Sequence, residues 1–329
     1  MKNLIKRIVL LVLALGFAGA GWLTWYATRP QGEGVLPQTI NVRPGMHLRA
    51  LTTAMQRAGV IEHPLAFRLL ARVLGKGHSI KLGVYTLDRP LTPLQLLDKF
   101  ERGEVSQIAV QFIEGWNLRE VRAVLAAQPL LNNDSARLSE AELAQAIGAD
   151  DTRLEGRLFP DTYFFAPHSS DLDVLRRAYR LQQQKLQAAW EARAPGLPYR
   201  TPYEALIMAS IVEKETGAAF ERPTIAGVFI NRLRLGMRLQ TDPTVIYGLG
   251  ERFDGNLRKV DLQRDTPYNT YTRGGLPPTP IAMPSEAAIR AALNPEKTGA
   301  LYFVSRGDGT HVFSSSLDAH NRAVNRYQR

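Results

Sequence analysis

An α+β fold class is predicted by three features of the 329-residue sequence. Apolar runs of helical period dominate, short alternating segments are few, and a long uncharged stretch stands near the N-terminus. The predicted architecture is an N-terminal transmembrane helix, a small α+β module and a larger helix-rich domain with short strands. A hydrophobic share of 45% beside 22% charged residues supports buried cores rather than disorder.

The anchor comes first, over residues 1–29. Ile8 to Thr28 is an uncharged run of 21 residues, which at about 1.5 Å per residue spans the roughly 30 Å hydrocarbon layer. Trp22, Trp25 and Tyr26 gather at its far end, where amphipathic rings favour the interface. Lys2, Lys6 and Arg7 precede it, so the positive-inside rule keeps the N-terminus cytoplasmic and exports the rest. A cleaved signal peptide ending near Ala18-Gly19-Ala20 is the competing reading. The apolar run continues past that site into an aromatic belt, which favours the uncleaved anchor.

Residues 30–38 are rich in Gly, Pro and polar side chains and read as a linker. The small module follows over 39–104. Ile40 and Val42 alternate as in a strand, Arg43-Pro44-Gly45 makes a turn, and Leu48 to Ala58 is a helix closed by Gly59. A second helix runs from Pro64 to Leu74 and stops at Gly75, and Ile80 to Leu87 reads as another strand. Thr92-Pro93-Leu94-Gln95 supplies an N-cap, a first-turn proline and a capping-box Gln for a helix to Arg102.

The larger domain occupies 105–329. Gln107 to Ile113 alternates as a strand, and Asn117 with Glu120 repeats the capping signature before a helix to Ala127. Residues 130–152 read as a mostly helical insertion, capped at Ser139 and Glu142. Leu172 to Arg193 is a long amphipathic helix. Thr201, Pro202 and Glu204 form another capping box, opening a helix that Gly217 ends.

Composition removes several chemistries. The absence of cysteine excludes disulfides, thiolate nucleophiles and cysteine–zinc sites. No GxSxG, Walker or HExxH sequence occurs. Of the six histidines (His47, His63, His78, His168, His311 and His320), His311 and His320 are the only near pair and lack carboxylates at ligand spacing; no metal is expected, and no cofactor is called for. His311 and His320 read as structural or substrate contacts. With 41 Lys+Arg against 31 Asp+Glu the net charge is +10, scattered in ordinary pairs. An exported domain rarely meets nucleic acid, so this reads as a solvated basic surface without a nucleic-acid partner.

The most informative segment is Thr201 to Gly217, TPYEALIMASIVEKETG. Residues 205–212 carry a single hydroxyl, so the helix is apolar all round and must be buried. Glu215 lies on the face of Ile211 and Met208, at the edge of that apolar core. Desolvation and the negative helix end both favour its protonated form, as a general acid in glycosidic cleavage requires. A solvated helix end of Glu213, Lys214 and Glu215 is the plainer alternative. Two further stretches, RLQTDPTVIYGLG and YNTYTRGGLPPTPIAMP, set amides, hydroxyls and rings among Gly and Pro: Gln240, Thr241, Asp242, Tyr247, Tyr268, Asn269 and Tyr271. Such loops suit a carbohydrate groove, because rings stack on sugar faces and polar groups pair with hydroxyls. Ordinary turn chemistry, with Tyr247 and Tyr271 in the core, is the alternative for each.

The sequence resembles the endolytic murein transglycosylases, the YceG-like family of membrane-anchored peptidoglycan-cleaving enzymes. The motifs carrying the resemblance are EGRLFPDTY (Glu155 to Tyr163), ASIVEKET (Ala209 to Thr216), FINRLRLGMRLQTDPTVIYG (Phe229 to Gly248), YNTY with GLPPTPIAMP, and HVFSSSLDAHN (His311 to Asn321). They cover most of residues 155–321. One departure is Thr279-Pro280, where relatives often carry a small Gly-containing pair.

The resemblance implies a LysM-like module at 39–104 and a lysozyme-like catalytic domain at 105–329. It implies a lytic transglycosylase that cuts the MurNAc-β-1,4-GlcNAc bond within glycan strands and leaves 1,6-anhydroMurNAc ends, in cell-wall synthesis and strand termination. The family's glutamate falls in EKET. It is assigned to Glu215 because lysozyme-like transglycosylases place the acid before Ser or Thr, here Thr216, with Glu213 as the alternative. A hydrolase would need a second carboxylate, for which Asp242 is the candidate; Asp242 is expected instead to orient substrate or loop. The implied partners are peptidoglycan strands and cell-wall synthases (penicillin-binding proteins), at the inner (cytoplasmic) membrane with a periplasmic catalytic domain. A membrane-anchored glycan-binding scaffold without catalysis is the other functional class, and the intact EKET and LQTDPT motifs argue against it.

Overall fold

A computed structural model describes residues 2–328 apart from Pro44 and His78. The middle of the expected Arg43-Pro44-Gly45 turn, His78, Met1, Arg329 and the side chains of Lys2 and Asn3 thus lie outside the described residues. The fold is mixed and helix-rich, and the chain divides into two compact units: residues 1–108 with 165–167, and 109–164 with 168–329.

In the first unit, helix α1 (Lys2–Thr28) is long and apolar enough to cross a membrane. Its last turn enters the unit's core, where Tyr26 and Ala27 are buried with Phe67 and Leu70. Strands β1 (Gln38–Val42) and β2 (Gly83–Leu87) pair antiparallel, Ile40 opposite Tyr85. Helices α2 (Leu48–Arg57) and α3 (Pro64–Val73) connect them, and α4 (Pro93–Arg102) follows. The strand expected from Ile80 begins only at Gly83, because the Lys81 amide donates to the Phe100 carbonyl at 3.0 Å instead of to a strand. Residues 30–38, linker-like in composition, are tied in: buried Gln31 donates its amide to the Leu91 carbonyl at 2.9 Å.

The second unit opens with β3 (Ile108–Gln111), which pairs with β4 (Thr162–Phe165), and with α5 (Leu118–Ala126). The expected helical insertion holds one helix, α6 (Glu140–Ile147). Its other residues form turns fastened from outside, since Asp171 accepts from the Ser135 amide and Arg122 donates to the Leu138 carbonyl. Reciprocal capping boxes form at Thr92, Asn117 and Ser139. At Thr201 only half forms, because the Glu204 carboxylate turns to the Arg200 amide.

Helix α7 (Asp171–Glu191) leads to α8 (Pro202–Glu215), buried at every position from Ala205 to Val212. Around α8 pack α7, α9 (Arg222–Arg234), α10 (Asp242–Leu249) and, after the short α11 (Lys259–Gln263), α12 (Glu286–Leu293). The lone hydroxyl among residues 205–212 has a use: Ser210 Oγ donates to the Ile207 carbonyl and accepts the Ile281 amide at 3.0 Å, fastening the 276–284 loop to the core helix. Residues 242–249, read as loop from their Gly and Pro, are helical. Pro243 occupies the first turn, where a missing N–H has no intrahelical partner to lose. A hairpin of β5 (Tyr302–Ser305) and β6 (His311–Ser314) and the helix α13 (Leu317–Tyr327) complete the unit.

Candidate active site

The all-apolar character of α8 delivers its last turn, Glu213-Lys214-Glu215, from the core to a surface cleft. Thr216 leaves the helix in extended conformation. The two glutamates then meet different fates. Glu213, its side chain 6% exposed, accepts from Arg222 Nη2 at 3.0 Å, from the Ser285 amide at 2.9 Å and from the Ser285 hydroxyl. Those contacts tie α8 to α9 and to the start of α12. Among the described residues Glu215 accepts one hydrogen bond, from Thr241 Oγ1 to Oε2 at 3.0 Å. Burial pushes its carboxyl up to about 7; the Thr241 hydroxyl opposes the rise and the charge of Asp242 adds to it.

The cleft holding Glu215 has a volume of about 700 Å³. Of the residues singled out from sequence, Gln240, Asp242 and Tyr271 line it with Glu215. The Tyr271 hydroxyl donates to Asp242 Oδ1 at 2.6 Å. Gln240 is held at a left-handed φ of 53°, uncommon outside glycine. Its Oε1 accepts from buried Arg232, whose guanidinium also donates to the carbonyls of Leu301, Arg238 and Leu239. His311 is on the same wall, its Nδ1 paired with buried Glu221 at 2.8 Å.

A second cleft of about 930 Å³ shares Lys214, Pro243 and Ile246 with the first, so the two adjoin along one side of α10. Tyr247 and Tyr268 line it, their rings edge-on with centroids 4.9 Å apart. Here too lies a carboxyl that sequence reasoning did not single out, Glu155. It accepts the Leu118 amide at 3.1 Å, the Tyr247 hydroxyl at 3.0 Å and the Gly156 amide at 3.3 Å. Burial pushes it up to about 7 against those donors. Gly156 makes the arrangement possible, since its φ is +74° and a Cβ would fall 2.3 Å from the Pro280 Cβ. The departing Thr279-Pro280 pair thus shapes this wall, Thr279 Oγ1 also bonding the Tyr268 hydroxyl at 2.8 Å.

Besides Glu213, two of the loop residues singled out line neither cleft. Thr241 is 1% exposed and reaches the site only through Glu215. Asn269, also 1% exposed, braces a loop: its Nδ2 donates to the carbonyls of Asp261, Leu262 and Arg264, and its Oδ1 accepts the Tyr271 amide. Among the described residues no three His, Asp or Glu side chains gather in a way that could hold a metal ion.

Comparison with known proteins returns a consistent answer. The family model described as the YceG-like family matches residues 40–326. A protein of Bacillus subtilis named endolytic murein transglycosylase is 30% identical over 305 residues, covering 88% of this chain and 84% of that protein. A Streptococcus pneumoniae protein of the same name is 27% identical over 322 residues, and the chain spans 57% of its length and is itself covered over 87%. The 2.6 Å crystal structure of a YceG-like protein from Listeria monocytogenes superposes with a TM-score of 0.55 at 28% identity, covering 88% of this chain and 99% of the other. With motifs, fold and matched residues in accord over most of its length, the chain belongs to the YceG-like family.

Proposed function

We propose that this protein is a lytic transglycosylase that cuts glycan strands of peptidoglycan internally, with Glu215 as its acid and base. The observation that carries the reading is the contrast at the end of α8. Glu213 is consumed by Arg222 and Ser285, whereas Glu215 opens on the cleft with an oxygen to spare and a carboxyl that burial holds up to about 7.

Glu215 protonates the glycosidic oxygen as the bond from muramic acid C1 breaks. The resulting carboxylate takes the proton of the muramic acid 6-hydroxyl, whose oxygen bonds to C1. The acid is regenerated, a 1,6-anhydro end forms, and no water is consumed. Gln240, Tyr271, Tyr247 and Tyr268 contact the sugars along the adjoining clefts, and Asp242, paired with Tyr271, orients substrate. Two clefts side by side suit a cut within a strand, with sugars bound on both sides of the bond.

The relatives' name supports peptidoglycan as substrate. The apolar length of α1 supports a single-pass anchor, and Lys2, Lys6 and Arg7 ahead of its apolar run support a cytoplasmic N-terminus with the catalytic unit outside. Residues 39–104 act as the LysM-like module and 105–329 as the lysozyme-like catalytic domain; the paired strands enclosing two helices support the former. Cell-wall synthases are the partners that this placement suits.

The test is mass spectrometry of purified glycan strands after incubation with the full chain, Glu215→Gln and Asp242→Asn. Internal fragments ending in 1,6-anhydromuramic acid, lost in Glu215→Gln and retained in Asp242→Asn, are expected. Reducing ends lost in Asp242→Asn mark a hydrolase, and no cleavage by folded wild type marks a non-catalytic scaffold.

A further inference from the structure

Helix α3 buries Ala66, Phe67, Leu70 and Ala71 and leaves a second apolar row on its outer side. Leu65, Leu69 and Val73 are 73%, 51% and 67% exposed. Residues four apart stay on one side of a helix, so the three form a stripe along its whole length. Arg68 and Arg72 flank that stripe, each one residue before a member of it. With Arg49 they line a cleft of about 740 Å³ whose other walls include Leu65, Leu69 and Ile80. None of the three arginines has an ion pair among the described residues, whereas nearby Lys76 is held by Asp98 and Glu101. The surface combines exposed aliphatic groups with unneutralised guanidinium groups, the chemistry that accepts an anionic amphiphile.

Its position relative to α1 identifies that amphiphile. The Tyr26 hydroxyl donates to the His63 carbonyl at 3.3 Å, and the Trp22 ring lies 5.8 Å from the His63 ring. His63 is the residue at which α3 starts. Tyr26 and Ala27 share the buried core with Phe67, Leu70 and Ala71, so the end of α1 and α3 are one packed body. Trp22 and Trp25, whose rings stay exposed, mark the depth at which a spanning helix meets water. The start of α3 is thereby fixed at the headgroup level of whatever bilayer α1 crosses.

We propose that α3 rests on the bilayer that α1 spans, with Leu65, Leu69 and Val73 in the headgroup–acyl boundary and Arg49, Arg68 and Arg72 on the phosphates of anionic phospholipids. This rests on the reading of α1 as a membrane anchor. The module is then seated on the lipid at two places, the span and a surface helix, and does not swivel about the span alone.

The cysteine-free chain permits a direct test. Nitroxide labels are placed on single cysteines introduced into the full chain at Leu13, Leu69 and Gln187, and the protein is set in nanodiscs of phosphatidylcholine with or without phosphatidylglycerol. Collision with oxygen and with a water-soluble nickel chelate reports depth. Leu69→Cys is expected to be reached by oxygen and shielded from nickel, as is Leu13→Cys, with Gln187→Cys open to nickel. Leu13→Cys shielded and Leu69→Cys as open as Gln187→Cys overturns the docking alone. Leu13→Cys open to nickel overturns the anchor reading and the docking with it. Adding Arg68→Gln and Arg72→Gln is expected to lower the ratio of docked to undocked α3 in phosphatidylglycerol discs by about 30-fold, from roughly fivefold per arginine. Shielding that ignores both the lipid charge and the arginines overturns the phosphate contact.

Discussion

Replacing Thr241 by Val removes the one hydrogen bond that Glu215 receives among the described residues, and little else. The Thr241 hydroxyl donates to Glu215 Oε2 at 3.0 Å, and its backbone amide, kept in the variant, bonds Thr270 Oγ1 at 3.1 Å. The side chain is 1% exposed, so a methyl of similar size fills the same space. A hydrogen bond to a charged group is worth about 1.5–3 kcal/mol, and about 1.4 kcal/mol corresponds to one pH unit. Because the hydroxyl stabilises the ionised carboxyl, its loss raises the Glu215 pKa by about 1–2 units above the present value of about 7. In the proposed mechanism the acid must be protonated for the first step, so the alkaline limb of kcat/KM on glycan strands is expected to move upward by the same interval. Initial rates across the neutral and alkaline range measure it. A limb that stays in place, or moves to lower pH, refutes the assignment of Glu215 as the acid that Thr241 tunes.

Two other outcomes are expected from the buried polar groups. Glu155 has its carboxyl raised from 4.5 to about 7, so between those values the folded chain holds a proton that the unfolded chain has released. Stability therefore falls as pH rises through this window, by about 3 kcal/mol from this group. Denaturant titrations of Glu155→Gln are expected to lack that part of the slope, and an unchanged slope assigns it to other groups. Ser210→Ala leaves the Ile281 amide without its acceptor inside the core, at a cost of about 1–3 kcal/mol, read as a lower midpoint at unchanged m; a loss below about 0.5 kcal/mol shows that the loop finds another acceptor.

Local chemistry explains which elements were legible in the sequence. Thr92, Asn117 and Ser139 announce helices because cap and partner sit three residues apart and need nothing from the rest of the fold. The burial of α8 was legible because an apolar surface on every side leaves no face for water. Helix α10 was not, since the glycines and proline of LQTDPTVIYGLG suggest turns until Pro243 is placed at a helix start. The polar residues of YNTY likewise gave no sign that Tyr271 faces the cleft while Asn269 is spent on carbonyls, because that division depends on where residues 261–264 return. Glu155 was hidden for the same reason: Leu118 and Tyr247, far away in sequence, complete its surroundings.

The two raised carboxyls differ in how many of their lone pairs are already committed, and the proposed mechanism needs that difference. Burial lifts Glu155 and Glu215 to a similar level, so acidity alone does not distinguish them. A carboxylate offers about four acceptor positions. Glu155 spends three, on the Leu118 and Gly156 amides and the Tyr247 hydroxyl, and in doing so fixes the start of α5 against α10. Glu215 spends one, on a hydroxyl whose backbone is locked to Thr270. A group that must give a proton to one sugar oxygen and take one from another needs free positions on a carboxyl that does not itself move. Glu215 meets both conditions, and Glu155 supports the tyrosine wall of the adjoining cleft.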